Sequence, residues 1–218
     1  MDKDKITKEA LVYLKSKKEL LFQKYLDGHV KVEPQMAFFT AGPSGAGKTE
    51  FAQELLEIER ELVHLDIDSV RDFFIPIGYN GTNSDIFQLP ANRAVQALFD
   101  EIVKRRGLSL VLDSNLSHLQ TATENMVKLL KNNYKIEVFY IYDKLEDCFL
   151  YTKLREKVTK RSVPEEVFFN SVIKSRITTY EIKKLFSEYI ILNVIDKRDK
   201  KRYENISYDD FYTIIPEL

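Results

Sequence analysis

The 218-residue sequence contains a single cysteine, Cys148. That excludes an internal disulfide framework and suits a reducing compartment, so a cytoplasmic protein is expected. Long apolar runs are missing as well. None approaches the roughly 20 residues of a membrane span, and the opening Met1-Asp2-Lys3-Asp4-Lys5 lacks the apolar stretch of a secretory signal. No sign of charge dominates: 33 Lys and Arg stand against 34 Asp and Glu, a formal net charge of −1. This offers no global attraction to nucleic acid and argues against such a partner, leaving only a local basic patch as a route to one. The three histidines, His29, His64 and His118, are dispersed without ligand spacing, and no Ser-His-Asp or zinc pattern is present. Glycine is scarce, with 7 residues where average usage would give about twice as many.

Three of those glycines fall in one eight-residue window, Gly42-Pro43-Ser44-Gly45-Ala46-Gly47-Lys48-Thr49. The window fits G-x-x-x-x-G-K-[ST], a loop that cradles phosphates. A triphosphate needs several backbone N–H donors aimed into one concavity, and glycine lets the chain curl that tightly. The amides and dipole of the helix that follows favour an anion at the same place. In such a loop Lys48 reaches the β- and γ-phosphates and Thr49 places its hydroxyl on Mg²⁺. The surroundings agree. Met36 to Thr40 is a short apolar run, read as a buried parallel strand, and Phe51, Ala52, Leu55, Leu56 and Ile58 give the helical face behind the loop.

Further strands are expected at Leu62–Leu65, Leu108–Leu112, Ile136–Tyr142 and Tyr189–Val194, alternating with helices. The helices are Leu89 to Arg106, closed by Gly107; Leu119 to Lys131; Leu145 to Val158; and a long one from Pro164 to about Phe186. Residues 4 to 28 carry a helix-spaced apolar stripe, and residues 75 to 83 read as a loop. The pattern implies α/β architecture: a mainly parallel sheet of five strands or slightly more, with helices on both faces.

In such sheets ligands bind beyond the carboxyl ends of the strands, which singles out Asp66, Asp68 and Asp113. Asp113 ends an apolar strand, as a carboxylate beside Mg²⁺ does, although Asp113-Ser114-Asn115 also suits a helix cap. Asp68 is placed to take the proton of an attacking hydroxyl, with a helix cap again the alternative. Arg155 and Arg161, just before and at the end of the basic stretch 157–161, suit a lid that stabilises the charge of phosphoryl transfer. A solvated helix face is the plainer account of the same residues.

Taken in order, Gly42 to Thr49, Asp68-Ser69-Val70-Arg71, Ala91-Asn92-Arg93, Leu112-Asp113-Ser114-Asn115 and Arg161-Ser162-Val163-Pro164 resemble the zeta-toxin family of P-loop kinases. The resemblance runs from about Lys31 to Val194. It implies a P-loop NTPase three-layer sandwich with a helical lid, in which residues 34–218 form the kinase domain and 1–33 an N-terminal helical extension. It also implies ATP and Mg²⁺ as cofactors and γ-phosphate transfer to a small-molecule hydroxyl, with the sugar nucleotide UDP-N-acetylglucosamine as the family's best-known acceptor. Lys48 becomes the phosphate anchor, Asp68 the general base, Arg155 and Arg161 the charge stabilisers, and Thr49 and Asp113 the metal side. Arg71, Arg93, Gln96, Asp113 and Asn115 become acceptor contacts. Gln96 stands where the family has an acidic residue, Asn115 where a threonine is usual, and Ser117 where an arginine is expected, so the acceptor pocket departs from the pattern. A polynucleotide 5′-hydroxyl kinase and a slow nucleotide-hydrolysing regulator are the competing functions. The N-terminal stripe has two roles open to it: packing on the domain, or docking a partner such as an inhibitory antitoxin.

Overall fold

A computed structural model of the chain describes residues 3–159 and 162–215. Two helices open it, α1 (Lys3–Ser16) and α2 (Lys18–Leu26), where the sequence suggested one continuous stripe. Their apolar side, Ala10, Leu14, Leu21, Phe22 and Leu26, is buried in the main core, and Tyr13 packs on Phe73 with ring centroids 5.4 Å apart. Packing on the domain is therefore the observed role of this stripe.

The central strand β1 (Met36–Ala41) leads into the loop and α3 (Lys48–Ile58). Then follow β2 (Val63–Asp66), α4 (Ile67–Arg71), a 3₁₀ turn over Asp72–Ile77, and α5 (Gln88–Glu101). The helix expected to reach Arg106 changes to a π-turn over Ile102–Arg106, which Gly107 ends in the left-handed conformation. The remaining elements are β3 (Leu110–Asp113), α6 (Leu119–Lys131), β4 (Lys135–Tyr142), α7 (Leu145–Thr159), α8 (Glu165–Leu185), β5 (Ile190–Asp196), β6 (Lys201–Tyr203) and α9 (Tyr208–Ile214).

The sheet order is β2-β3-β1-β4-β5-β6, parallel throughout except for β6, which pairs antiparallel to β5. Because β1 is central, its residues are buried on both faces, as a continuous apolar run requires. Phe38 meets Ala52, Leu62 and Val111 on one side, and Phe39 joins the larger core on the other. This alternation puts helices on both faces, giving three layers. It also brings the carboxyl ends of β1, β2 and β3 together, with Asp66 level with Asp113. No helix among the described residues is long and apolar enough to cross a membrane.

Candidate active site

The loop after β1 is held from several directions, mostly through its own backbone atoms. Gly42 N donates to the buried Ser175 Oγ of α8 at 2.9 Å. Gly42 lies at φ +120°, and a Cβ there would run into the Ile141 carbonyl oxygen. Gly45 faces the Cys148 carbonyl of α7 just as closely. Only glycine fits either place, which explains their positions physically. Asn115 Nδ2 reaches Ser44 Oγ at 3.4 Å, and Lys197 Nζ donates to Ala46 O at 3.0 Å. Gly47, also left-handed, precedes the first turn of α3 and so opens that helix's N-terminus toward the cradle.

Lys48 is buried, and its ammonium donates to Pro43 O at 2.5 Å. Burial pushes its pKa down to about 8, against the pull of Asp113; the positive charge of Arg155 acts in the same direction as burial. Asp113 is buried too. Burial raises its pKa, but the neighbouring donors His64, Thr49 and Thr40 and the charge of Lys48 hold it below the ordinary carboxylate value. Thr40 Oγ1 donates to Asp113 Oδ1 at 2.9 Å, whereas buried Oδ2 has no hydrogen-bond partner and lies 3.8 Å from His64 Nε2. Asp113 does not cap the next helix; that position belongs to His118, which makes no side-chain cap bond.

An unsatisfied Asp113 oxygen, on a carboxylate that Thr49 helps to keep charged, fits a magnesium ion, which takes few protein ligands and keeps waters and phosphate oxygens. The described residues include no group of three or more acidic, His or Cys side chains that would form a self-sufficient metal cage. Thr49 and Asp113 are thus the residues that would hold the ion.

Across the cradle stands Asp68. The cap of α4 is Asp66, whose carboxylate accepts from Asp68 N at 3.1 Å and Ser69 N at 2.9 Å. Asp68 is thereby spared the capping duty that the sequence left open to it. One of its oxygens accepts from Arg71 and the other from Arg155 of α7, the latter at 2.8 Å. Arg71 also donates to Gln88 Oε1 at the start of α5.

Other expectations are revised. Arg71, anticipated among the acceptor contacts, has no exposed surface and instead holds Asp68 from below. Arg93 and Gln96 are not gathered at the cradle. Gln96 bonds to Asp100 and Asn125, and both residues line a groove of about 350 Å³ with Lys18, Asp100, Glu101 and Lys104. The reason is helical phase: the stripe through Gln88 meets Arg71, while the neighbouring stripe through Arg93 and Ala97 turns toward Lys18. Arg161 lies outside the described residues. Sequence reasoning missed Thr40, Gln88, Ser175 and Lys197. Thr40 alone carried a signal, as a polar residue inside an apolar strand.

A family model described as Zeta toxin matches residues 23–207. No curated protein matches the chain. Among solved structures it is similar to the PezAT chromosomal toxin–antitoxin system of Streptococcus pneumoniae, with a TM-score of 0.70 at 18% identity, covering 100% of this chain and 91% of that one. It is also similar to the AvrRxo1-ORF1:-ORF2 structure with ATP, with a TM-score of 0.62 at 16% identity, covering 97% and 71% respectively. At these identities the likeness is one of fold.

Proposed function

The chain belongs to the zeta toxin family, and on that premise we propose that it is an ATP-dependent kinase of zeta-toxin type, transferring the γ-phosphate to a hydroxyl of a small molecule, a sugar nucleotide such as UDP-N-acetylglucosamine. The observation that carries the reading is the meeting of Asp68 and Arg155 at 2.8 Å, with the Arg155 charge felt by Lys48. A carboxylate, an exposed cation and the phosphate anchor thus lie close together, as transfer to a hydroxyl needs.

In this reading the loop amides from Gly45 to Thr49 receive the phosphates, and Lys48 turns its ammonium from Pro43 O to the β- and γ-oxygens. Thr49 and Asp113 would hold Mg²⁺, which would supply charge neutralisation to the phosphates. Asp68 offers the acceptor hydroxyl the oxygen now shared with Arg155, while Arg71 keeps the other in place. Arg155 is more than half exposed, so it exchanges Asp68 for the transferring group at little cost. An inhibitory protein partner belongs to the same reading, supported by the toxin–antitoxin character of the Streptococcus pneumoniae system.

The test is transfer from γ-labelled ATP to UDP-N-acetylglucosamine, other sugar nucleotides and a 5′-hydroxyl oligonucleotide, with Asp68→Asn alongside. Label on a sugar nucleotide, reduced by roughly 10²- to 10⁴-fold in the variant at unchanged ATP affinity, is the expected result. Label on the oligonucleotide would make the protein a polynucleotide kinase. Equal transfer by both proteins would remove Asp68 from the mechanism.

A further inference from the structure

Lys197 follows directly on the last residue of β5, at the carboxyl end of the sheet where ligands of parallel α/β folds sit. Its main chain is fixed there, Lys197 N donating to Tyr142 O at 2.8 Å. Its side chain crosses to the phosphate loop, where Nζ donates to Ala46 O at 3.0 Å. The same ammonium is the nearest atom to the position a Cβ on Gly47 would take, so it lies against the entrance of α3.

The adjoining acid does not neutralise it. Asp196 is committed to Arg198, with Nε to Oδ1 at 2.9 Å and Nη2 to Oδ2 at 2.6 Å, and Arg198 also covers the Tyr142 ring. Lys197 forms no ion pair within 4.0 Å among the described residues; Glu50, with Oε2 3.7 Å from the same Gly47 Cβ position, is the acidic group nearby. One carbonyl bond leaves two of its three N–H donors to solvent or a ligand, since Lys197 is exposed. An exposed cation is therefore tied to the outside of an anion cradle, supplied by a segment 151 residues away in sequence.

We propose that Lys197 is a second lysine of the nucleotide site, whose ammonium binds the polyphosphate from outside the loop. The inference rests on nucleotide binding by the loop, as proposed above. A merely structural tie to Ala46 O would need a donor but no charge, and this separates the two roles.

Calorimetric titration of the full chain with ATP and with inorganic tripolyphosphate, at low and high salt, tests it. Lys197→Gln keeps a donor without the charge, Lys197→Met keeps the apolar stem, and Lys197→Arg keeps the charge. Gln and Met are expected to bind both ligands about tenfold more weakly at low salt, with Arg within about twofold of wild type. Wild-type affinity should also fall more steeply with salt than that of the Gln variant. Wild-type affinity in Lys197→Gln would overturn the proposal and leave the kinase reading intact. Loss for ATP alone, with tripolyphosphate unaffected, would overturn the phosphate contact. A wild-type protein that binds neither ligand would overturn both.

Discussion

The two walls of the cleft are built by different means. The phosphate side is a backbone construction: Gly42 N on Ser175, Gly45 against the Cys148 carbonyl, and Ala46 O under Lys197. The opposite wall is made of side chains, with Asp68 between Arg71 and Arg155, and Arg71 backed by Gln88. A backbone wall has one geometry and tolerates almost no substitution. A wall of ion pairs is adjustable, because an exposed partner such as Arg155 exchanges at small cost. Rigidity thus sits where a nucleotide presents its phosphates, and adjustability sits where, in the proposed reaction, the acceptor would be met.

The sharpest way to break this contrast is Gly42→Ala. A side chain at φ +120° that also meets the Ile141 carbonyl should cost about 3 kcal/mol, seen as a roughly 100-fold loss of ATP affinity in a titration. Retained affinity would mean that the phosphate wall yields after all. On the other wall, Arg71→Met should destabilise the fold by about 2 kcal/mol in denaturant unfolding. That is less than a fully buried pair costs, because Asp68 keeps some solvent and Arg155. ATP affinity should stay the same, and a parallel loss would show that the two walls are coupled.

The smallest effect expected is a pH dependence of the phosphate wall. Lys48 holds its proton to about 8 in the folded protein against 10.5 in its ordinary state. Phosphate binding favours the charged form, so ATP affinity should be full below pH 8 and fall as pH rises through it, by about tenfold between pH 7 and pH 9. Unfolding should move oppositely. Between about pH 8 and 10.5 the unfolded chain binds more protons, so the stability of the nucleotide-free protein contributed by this site rises with pH. Calorimetry across that range checks both signs, and a flat affinity profile would place Lys48 outside the phosphate contact.

Sequence reading reached the backbone wall because steric demand leaves a mark there: glycines appear where only glycine fits. It reached Asp68 because strand ends are few. It left Asp68 and a helix cap in balance, since only the structure reveals that Asp66 accepts both amides. Arg93 and Gln96 went astray because helical phase against neighbours is fixed by packing, which a local pattern does not encode. Strand β6 escaped notice because Lys201, Arg202 and Tyr203 offer no apolar alternation to read. Lys197 and Ser175 had no signature, since each acts on a segment more than 130 residues away.

That separation also has a meaning in time. A chain growing from its N-terminus displays the whole Gly42–Thr49 motif early, with β1 still waiting for β4, its partner about 100 residues later. Ser175 and Lys197, which tie the loop from behind and from the side, emerge only with the last fifth of the molecule. The signature of the site is therefore written first and its mounting last, so a nascent chain carries the emblem of nucleotide binding well before it has the frame.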